Sequence, residues 1–302
     1  MTTIATVLLI LSAFTHAGWN FISKKEHPTQ AFYLVANTIG VICILPILFY
    51  YARFLHFIPA SVWLIVIISG FFLASYMGAL AGAYRAGDIS IAYPLTRSLP
   101  VILVFLLTLI LKTGQPTGTW FFVGIILVVL GCIILPLKVF SDFHFSNYNN
   151  LCCLLAVLAA IGVTGYTVAD DWALRILREL PGKPMSPVEG TLLFMVLEGI
   201  SSTVWQTLFV VGNRKERQSI STIFQSYKGS AALTGIGIYF TYGIVLVSMN
   251  YVSNISYVAA FRQLSIPLGA ILGMALLKET RYLPKLIGIA AIFIGLVLAG
   301  IN

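Results

Sequence analysis

Long apolar stretches, each about as long as a membrane-spanning helix, dominate this chain. They are continuously hydrophobic rather than alternating between polar and apolar positions, which favours helices over strands. A helix needs about 20 apolar residues to cross about 30 Å of hydrocarbon. We therefore predict an all-α membrane protein with about ten transmembrane helices. The predicted helices lie at roughly 3–22, 30–51, 62–84, 89–111, 118–138, 149–172, 190–211, 229–249, 254–277 and 284–301.

The composition indicates that lipid is the solvent for this chain. Of its 302 residues, 59% are hydrophobic and 9% are charged, whereas a soluble domain carries about 25% charged residues. The formal net charge of +8 comes mostly from short connecting segments and forms no basic stripe of the kind that binds nucleic acid. We therefore expect membrane lipid as a partner and no nucleic acid. The first apolar stretch lacks the features of a cleaved signal, so we interpret it as a retained helix.

No motif in the sequence indicates catalysis or a cofactor. Neither GxSxG nor HExxH occurs, and the cysteines show no metal-binding spacing. We predict no catalytic residue, no metal ligand and no cofactor, and we interpret the chain as a protein other than an enzyme. The cysteines, which we predict to be packing residues, are Cys43, Cys132, Cys152 and Cys153.

A pattern in the first half of the chain recurs in the second half. Residues 88–90 (Asp-Ile-Ser) open the fourth predicted helix, and residues 254–256 (Asn-Ile-Ser) open the ninth; an arginine follows each. Glycines seven residues apart, predicted to face other helices, recur in the fifth and tenth helices. We therefore predict two five-helix repeats, 1–145 and 146–302. An odd number of spans inverts the second repeat, and inverted repeats are typical of transporters. The recurring glycines are Gly124, Gly131, Gly288 and Gly295.

Two arginines inside apolar helices are the sharpest candidates for a binding site. An ionisable residue there costs about 2.5–3.5 kcal/mol on insertion scales, so each needs an explanation. Arg97 and Arg262 occupy matching places in the two repeats, and a guanidinium suits a carboxylate or a phosphate. We predict that they bind solute in one shared cavity. In the alternative interpretation they form structural ion pairs, Arg97 with Asp88 or Asp170 and Arg262 with Glu198.

The buried acids and the first-helix histidine also have two interpretations. Glu198 is either a carboxyl that binds and releases a coupling proton or the fixed partner of an arginine. Asp88 and Asp170 are assigned to the same coupling or ion-pair group. His16 is either a proton carrier or a hydrogen-bonded packing residue.

Four motifs, in order along nearly the whole chain, resemble those of the drug/metabolite transporter superfamily in its EamA-like branch. The first-helix pattern HAxWNxxxK is matched by residues 16–24, and residues 83–97 are similar to the fourth-helix pattern AYRxGDLSxxYPxxR. Residues 166–175 resemble the sixth-helix pattern YTxxD followed by Arg. A late Leu-Arg-Glu-x-Ser pattern is matched only in part by residues 261–265, because Gln263 replaces the glutamate.

The resemblance implies ten helices built as five plus five, a central cavity and alternating access, in carriers that export amino acids, other metabolites or drugs. It also implies that both termini lie in the cytoplasm, whereas the distribution of Lys and Arg among the loops places both outside. The orientation therefore stays open. The residues that we predict to bind substrate are Arg97, Arg262, Tyr93, Trp19, Asn20 and His16.

The sequence as a whole predicts a secondary transporter, an exporter by resemblance, of a small polar, anionic or zwitterionic metabolite such as an amino acid. We expect a multi-pass protein of the plasma (inner) membrane, with a small-molecule solute as partner and a homodimer left open. One alternative is a flippase of lipid or polyprenyl phosphate, in which the arginines would bind a phosphate. A membrane-embedded enzyme is the other alternative.

Overall fold

The chain folds as a bundle of α-helices. The computed structural model describes residues 2–25, 29–86, 89–113, 117–142, 150–276 and 280–300, and within these ranges it contains no strand. The predicted all-α class is therefore confirmed. The helices are α1 (Thr3–Lys25), α2 (Gln30–Tyr51), α3 (Ala60–Ala86), α4 (Ile89–Ile110), α5 (Thr119–Ile134), α6 (Leu151–Arg178), α7 (Pro187–Gly212), α8 (Arg214–Thr222), α9 (Lys228–Met249), α10 (Ser256–Phe261), α11 (Ser265–Leu276) and α12 (Leu283–Gly300).

Most of these helices have the length and composition of membrane spans. Within the described residues, seven helices (α1, α2, α3, α6, α7, α9 and α12) are long and apolar enough to cross a membrane. Shorter apolar segments lie in α4 and α5, at Thr96–Ile110 and Thr119–Ile134. Large apolar side chains such as Phe49, Ile110 and Trp172 point away from the bundle, as expected of side chains that contact lipid. The chain is a multi-pass integral membrane protein.

The predicted ninth helix is divided into two. A 3₁₀ turn at Arg262–Leu264 separates α10 from α11, so the continuous helix predicted over 254–277 is wrong at this point. The reason is Pro267, which lacks the N–H that would bond the carbonyl of Gln263 four residues earlier. The break matters because it places Arg262 on an irregular turn inside the bundle.

A polar helix, α8, lies where the sequence analysis placed only a connecting segment. Asn213 caps it by accepting hydrogen bonds from the backbone N–H groups of Lys215 and Glu216. A π-helical turn at Ile223–Tyr227 then leads directly into α9. The basic run that marks a loop in the sequence is therefore helical, because a cap at its start satisfies the exposed backbone donors.

Polar caps also fix the starts of the long helices. At α7, Ser186 and Glu189 form a reciprocal capping box, with Pro187 in the first turn. The side chains of Thr29 and Asn150 accept backbone hydrogen bonds at the starts of α2 and α6. These caps set where each apolar segment begins, and therefore the depth of the side chains further along it.

Helices α5 and α12 pack against each other through the glycines that the sequence identifies. A Cβ atom added at Gly124 would collide with the carbonyl oxygen of Gly295, and one added at Gly295 would lie 2.6 Å from that of Gly124. A Cβ at Gly131 would lie 2.8 Å from the carbonyl oxygen of Gly288. The prediction that these glycines face another helix is confirmed, because a larger residue would force the two backbones apart.

Helices from the two ends of the chain interleave. Helix α3 packs along α6 and α7, and α9 packs along α1 and α2. Helix α4 lies against α6, while α11 and the 3₁₀ turn before it lie against α1. One large apolar core contains residues from both halves. The space among α1, α3, α4, α6 and the 3₁₀ turn holds the candidate site.

Candidate functional site

A pocket inside the bundle is lined by both of the arginines that the sequence singles out. Arg97 lies on α4 and Arg262 on the 3₁₀ turn between α10 and α11. Together with Tyr76 of α3 and Tyr166 of α6, they line one pocket, which we call the arginine pocket. The two arginines therefore share a cavity, while their role in binding a solute stays a prediction.

Arg262 is held by a neutral partner. Its Nη2 donates a hydrogen bond of 2.7 Å to the hydroxyl of Tyr166, and the guanidinium carbon lies 5.6 Å from the centre of that ring. The alternative prediction, an ion pair with Glu198, is wrong in this structure, because the Glu198 carboxyl is occupied by two hydroxyl groups described below. The guanidinium keeps its full charge beside the pocket.

Arg97 lies beside His16 of α1. Its Nη1 is 3.4 Å from Nε2 of His16, and because a guanidinium only donates, Nε2 must be the acceptor. A neutral imidazole with its proton on Nδ1 can accept at this position. The His16 ring meets Trp19 edge to face, at 4.7 Å between ring centres. Both residues line a second pocket, which shares Arg262 with the arginine pocket.

The remaining predicted substrate-binding residues contribute less. The side-chain amide of Asn20 donates to the backbone carbonyl of His16 at 3.0 Å, within α1, and Asn20 lines neither pocket. The side chain of Tyr93 and the whole of Asp88 lie outside the described residues.

Asp170 and Glu198, the two candidate coupling acids, come together in a closed ring of hydrogen bonds. Ser69 Oγ lies 2.6 Å from Asp170 Oδ1 and 2.6 Å from Glu198 Oε1. On the other side, the hydroxyl of Tyr242 lies 2.5 Å from Asp170 Oδ2 and 2.6 Å from Glu198 Oε2. All four residues are buried and come from α3, α6, α7 and α9. We call this arrangement the carboxyl ring.

The number of contacts in the carboxyl ring sets its need for protons. Four oxygen–oxygen contacts of 2.5–2.6 Å need four protons, and the two hydroxyls supply two of them. If each carboxyl carries one proton, every carboxyl and hydroxyl group donates one bond and accepts one, in a single direction round the ring. Ser69 and Tyr242 were not identified from the sequence, because a lone Ser or Tyr in an apolar helix carries no signal.

The carboxyl ring adjoins the arginine pocket through two tyrosines. Tyr242 of the ring lines the second pocket. Its aromatic ring meets that of Tyr166 edge to face, with 6.2 Å between centres. Tyr166 in turn accepts the hydrogen bond from Arg262. A cation of the pocket and the acids of the ring are thus separated by two neutral side chains in contact.

Ion pairs among the described residues lie away from the arginine pocket. On α6, Arg175 Nε donates to Asp171 at 2.7 Å, one turn apart. At the end of α3, Arg85 pairs with Glu216 of α8, whose other carboxylate oxygen accepts from the backbone N–H of Ala31 at 2.9 Å. Glu216 therefore joins α8 to the start of α2 and the end of α3. Asp171 and Glu216 are therefore paired with arginines outside the arginine pocket.

No family model and no curated protein matches this sequence. A solved structure that carries only the description "Crystal structure of protein" has a similar fold, with a TM-score of 0.69 and 15% sequence identity. The similarity covers 99% of this chain and 97% of the other. At this level of identity the comparison shows the fold alone, and function has to be argued from the site.

Proposed function

We propose that this chain is a secondary carrier that moves a small polar, anionic or zwitterionic metabolite, such as an amino acid, across the plasma (inner) membrane. It would belong to the EamA-like branch of the drug/metabolite transporter superfamily. The observation that carries the proposal is that Arg97 and Arg262, far apart in sequence, line one pocket inside a membrane-spanning bundle. Charges at such depth are rare outside solute or ion pathways.

The partner of Arg262 supports solute binding over a structural ion pair at that residue. Arg262 donates to the neutral hydroxyl of Tyr166, and Arg97 contacts the acceptor nitrogen of His16. No carboxylate is among the described residues that line the arginine pocket. A pocket lined by guanidiniums has a positive potential that attracts an anionic group, and the planar fork suits a carboxylate.

We extend the proposal to ten membrane-crossing segments in two inverted repeats, 1–145 and 146–302. The reciprocal glycine contacts between α5 and α12 support this, because a shift of 164 positions converts one contact into the other. Two equivalent halves of opposite orientation can open one central site to either side of the membrane. The proposal therefore includes alternating access.

A second pair of contacts supports the same repeat. Gly70 of α3 packs against Ser201 of α7, and Gly235 of α9 packs against the carbonyl of Ala36 on α2. Gly70 and Gly235 are 165 positions apart, and so are Ala36 and Ser201. The helix neighbours agree with this relation, since α3 lies along α6 and α7 while α9 lies along α1 and α2.

Flux into reconstituted vesicles tests the proposal. We would measure uptake of a panel of carboxylates, amino acids and phosphate esters by the unaltered chain, Arg97→Lys and Arg262→Lys. Lysine keeps the charge but loses the fork, and the loss of one charged bidentate contact costs about 2 kcal/mol, or about thirtyfold in affinity. Arg175→Lys is the matched control, because Arg175 pairs with Asp171 outside the pocket.

We expect both pocket variants to lose flux while their melting temperatures stay near that of the unaltered chain, and the control to keep its flux. Full flux with a lowered melting temperature in both pocket variants would mean that the arginines are structural. If lipid or polyprenyl phosphate were the only substrate to move, the flippase interpretation would replace this proposal.

A further inference from the structure

Two buried polar atoms at the arginine pocket lack a hydrogen-bond partner within the described structure. They are Oγ1 of Thr167 on α6 and Oε1 of Gln263 on the 3₁₀ turn, and both residues line the pocket. Thr167 is 1% exposed and Gln263 is 6% exposed. A buried polar group without a partner costs about 1–3 kcal/mol. A solute that hydrogen-bonds to these atoms recovers that cost.

The geometry of Gln263 defines what its partner must be. Its Nε2 donates to the backbone carbonyl of Ala259 at 3.0 Å. The side-chain nitrogen therefore has a partner, whereas the side-chain carbonyl oxygen has none within the described structure. A carbonyl oxygen only accepts. The solute must therefore present a hydrogen-bond donor at this point.

Thr167 differs from the neighbouring threonine on the same helix. Thr164 donates to the carbonyl of Ala160 at 2.8 Å, which is the usual way for a threonine in an apolar helix to satisfy its hydroxyl. The Thr167 hydroxyl makes no such bond within the described structure. Thr167 lines the pocket, and a hydroxyl can accept from or donate to a bound group.

The charge beside these two atoms indicates that the donor is neutral. Arg262 directly precedes Gln263 in the 3₁₀ turn and lines the same pocket. The described lining residues include no carboxylate that would offset a second positive charge. An ammonium group next to Arg262 would be repelled, and in a low-dielectric site this repulsion is large. A hydroxyl group meets the same acceptors without that repulsion.

We propose that the solute is an anion that carries at least one hydroxyl group, an inference that rests on the proposed function. Its carboxylate or phosphate lies against Arg97 and Arg262, and its hydroxyl bonds to Gln263 and Thr167. This narrows the solute range of the proposed function: the pocket then selects hydroxy acids or phosphorylated polyols over plain carboxylates and over amino acids. A site built to bond a hydroxyl rejects the analogue that lacks it, because its own buried groups are then left unpaired.

Three compounds with the same carbon skeleton test this inference. Propionate, lactate and alanine differ only in the group on the second carbon, which is hydrogen, hydroxyl or ammonium. Binding to the purified full chain would be measured by calorimetry and by the shift in melting temperature. We expect lactate to bind at least about tenfold more tightly than propionate, as the recovery of one buried bond implies, and more tightly than alanine. Glycerol 3-phosphate and propyl phosphate repeat the comparison with a phosphate.

Two variants test whether Thr167 and Gln263 determine the selectivity for a hydroxyl group. Thr167→Val should weaken lactate binding and leave propionate binding unchanged, whereas the matched control Thr164→Val should change neither. Gln263→Glu supplies the carboxylate that the lining residues lack, so it should shift the preference from lactate towards alanine. The Gln263→Glu substitution places a carboxylate in a buried position and can therefore change folding as well as selectivity. The near-isosteric Thr167→Val substitution tests the inference independently of it.

The possible failures are distinguishable. If propionate binds the unaltered chain as tightly as lactate, or alanine binds more tightly, the hydroxyl inference is overturned while anion binding stands. If Thr164→Val weakens lactate as much as Thr167→Val does, the assignment of the hydroxyl to Thr167 is overturned. If none of the carboxylates or phosphates binds the unaltered chain, the proposed function fails, and this inference fails with it.

Discussion

Two basic and two acidic side chains lie in neighbouring regions of this protein without pairing to each other. In the arginine pocket, Arg262 donates to a tyrosine hydroxyl and Arg97 lies beside a histidine nitrogen. In the carboxyl ring, the two acids are bridged by a serine and a tyrosine hydroxyl. Tyr166 and Tyr242 separate the regions and touch each other. Charge complementarity alone predicts an arginine–glutamate pair here, but in the described structure Glu198 contacts Ser69 and Tyr242 instead.

The difference between the regions shows how a membrane protein can hold charges without neutralising them permanently. A buried ion pair is hard to break, since removing one partner leaves an uncompensated charge. A neutral partner satisfies the geometry of a charged group and leaves the charge itself for a ligand. The arginine pocket is accordingly arranged for an anion. The carboxyl ring is arranged for protons, although its role in coupling stays a prediction.

The largest expected effect comes from removing one acid of the carboxyl ring. Asp170→Leu leaves Ser69 and Tyr242 with one contact each, and we expect it to lower the free energy of unfolding by about 3 kcal/mol, from two weakened buried groups. Asp170→Asn keeps one donor and one acceptor in the same place, as a protonated carboxyl does. We expect it to cost less than about 1 kcal/mol. Denaturant unfolding in detergent measures both values.

The pH dependence of stability sharpens the same test. Loss of a ring proton leaves two oxygens facing each other at 2.6 Å without a hydrogen between them. The stabilisation by the ring is therefore present at low pH and lost as the pH rises. We expect the unaltered chain to lose stability with rising pH and Asp170→Asn to lose less. If Asp170→Asn and Asp170→Leu lower the free energy of unfolding equally, the carboxyl ring does not need these protons. A free energy of unfolding that does not change with pH in the unaltered chain would show the same.

A smaller effect on stability distinguishes Tyr242 of the carboxyl ring from an ordinary buried tyrosine. Tyr242→Phe removes the hydroxyl that contacts both acids, and we expect it to cost about 2 kcal/mol because two buried hydrogen bonds are lost. Tyr239→Phe, one turn away on α9, removes a single bond of 2.6 Å to Asn37 and should cost about 1 kcal/mol. Only Tyr242→Phe should alter the pH profile. If stability depends on pH in the same way in both variants, the hydroxyl of Tyr242 does not contribute to the pH dependence that we assign to the carboxyl ring.

The sequence predicts the helices and the two arginines better than it predicts their partners. Apolar runs predict the positions of the helices, because a segment that crosses lipid must be a long apolar helix whatever it packs against. The recurring pattern identifies Arg97 and Arg262, since a charge in such a run stands out. The 3₁₀ turn before Pro267 was not predicted, because proline is common in spanning helices and its position alone does not show where the helix breaks.

The partners are set by packing among distant helices, which a single sequence does not contain. Asp170 and Glu198 were identified by their cost in the membrane, but their meeting depends on how α6 and α7 pack on α3. Ser69 and Tyr242 are ordinary residues for a spanning helix and attract no attention in the sequence. Of the motif residues on α1, His16 and Trp19 line a pocket, whereas Asn20 lines neither.

The smallest expected effect tests that last distinction. The side chain of Asn20 bonds to the carbonyl of His16 one turn earlier on α1, and alanine is the better helix former. Asn20→Ala should therefore change the free energy of unfolding by less than about 0.5 kcal/mol and leave solute flux nearly unchanged. Trp19→Phe is the comparison, because Trp19 lines the second pocket and packs edge to face on His16. It should reduce flux at unchanged helix content. Loss of flux in Asn20→Ala with unchanged stability would mean that the solute path reaches a further face of α1, so that the arginine pocket is only part of the route.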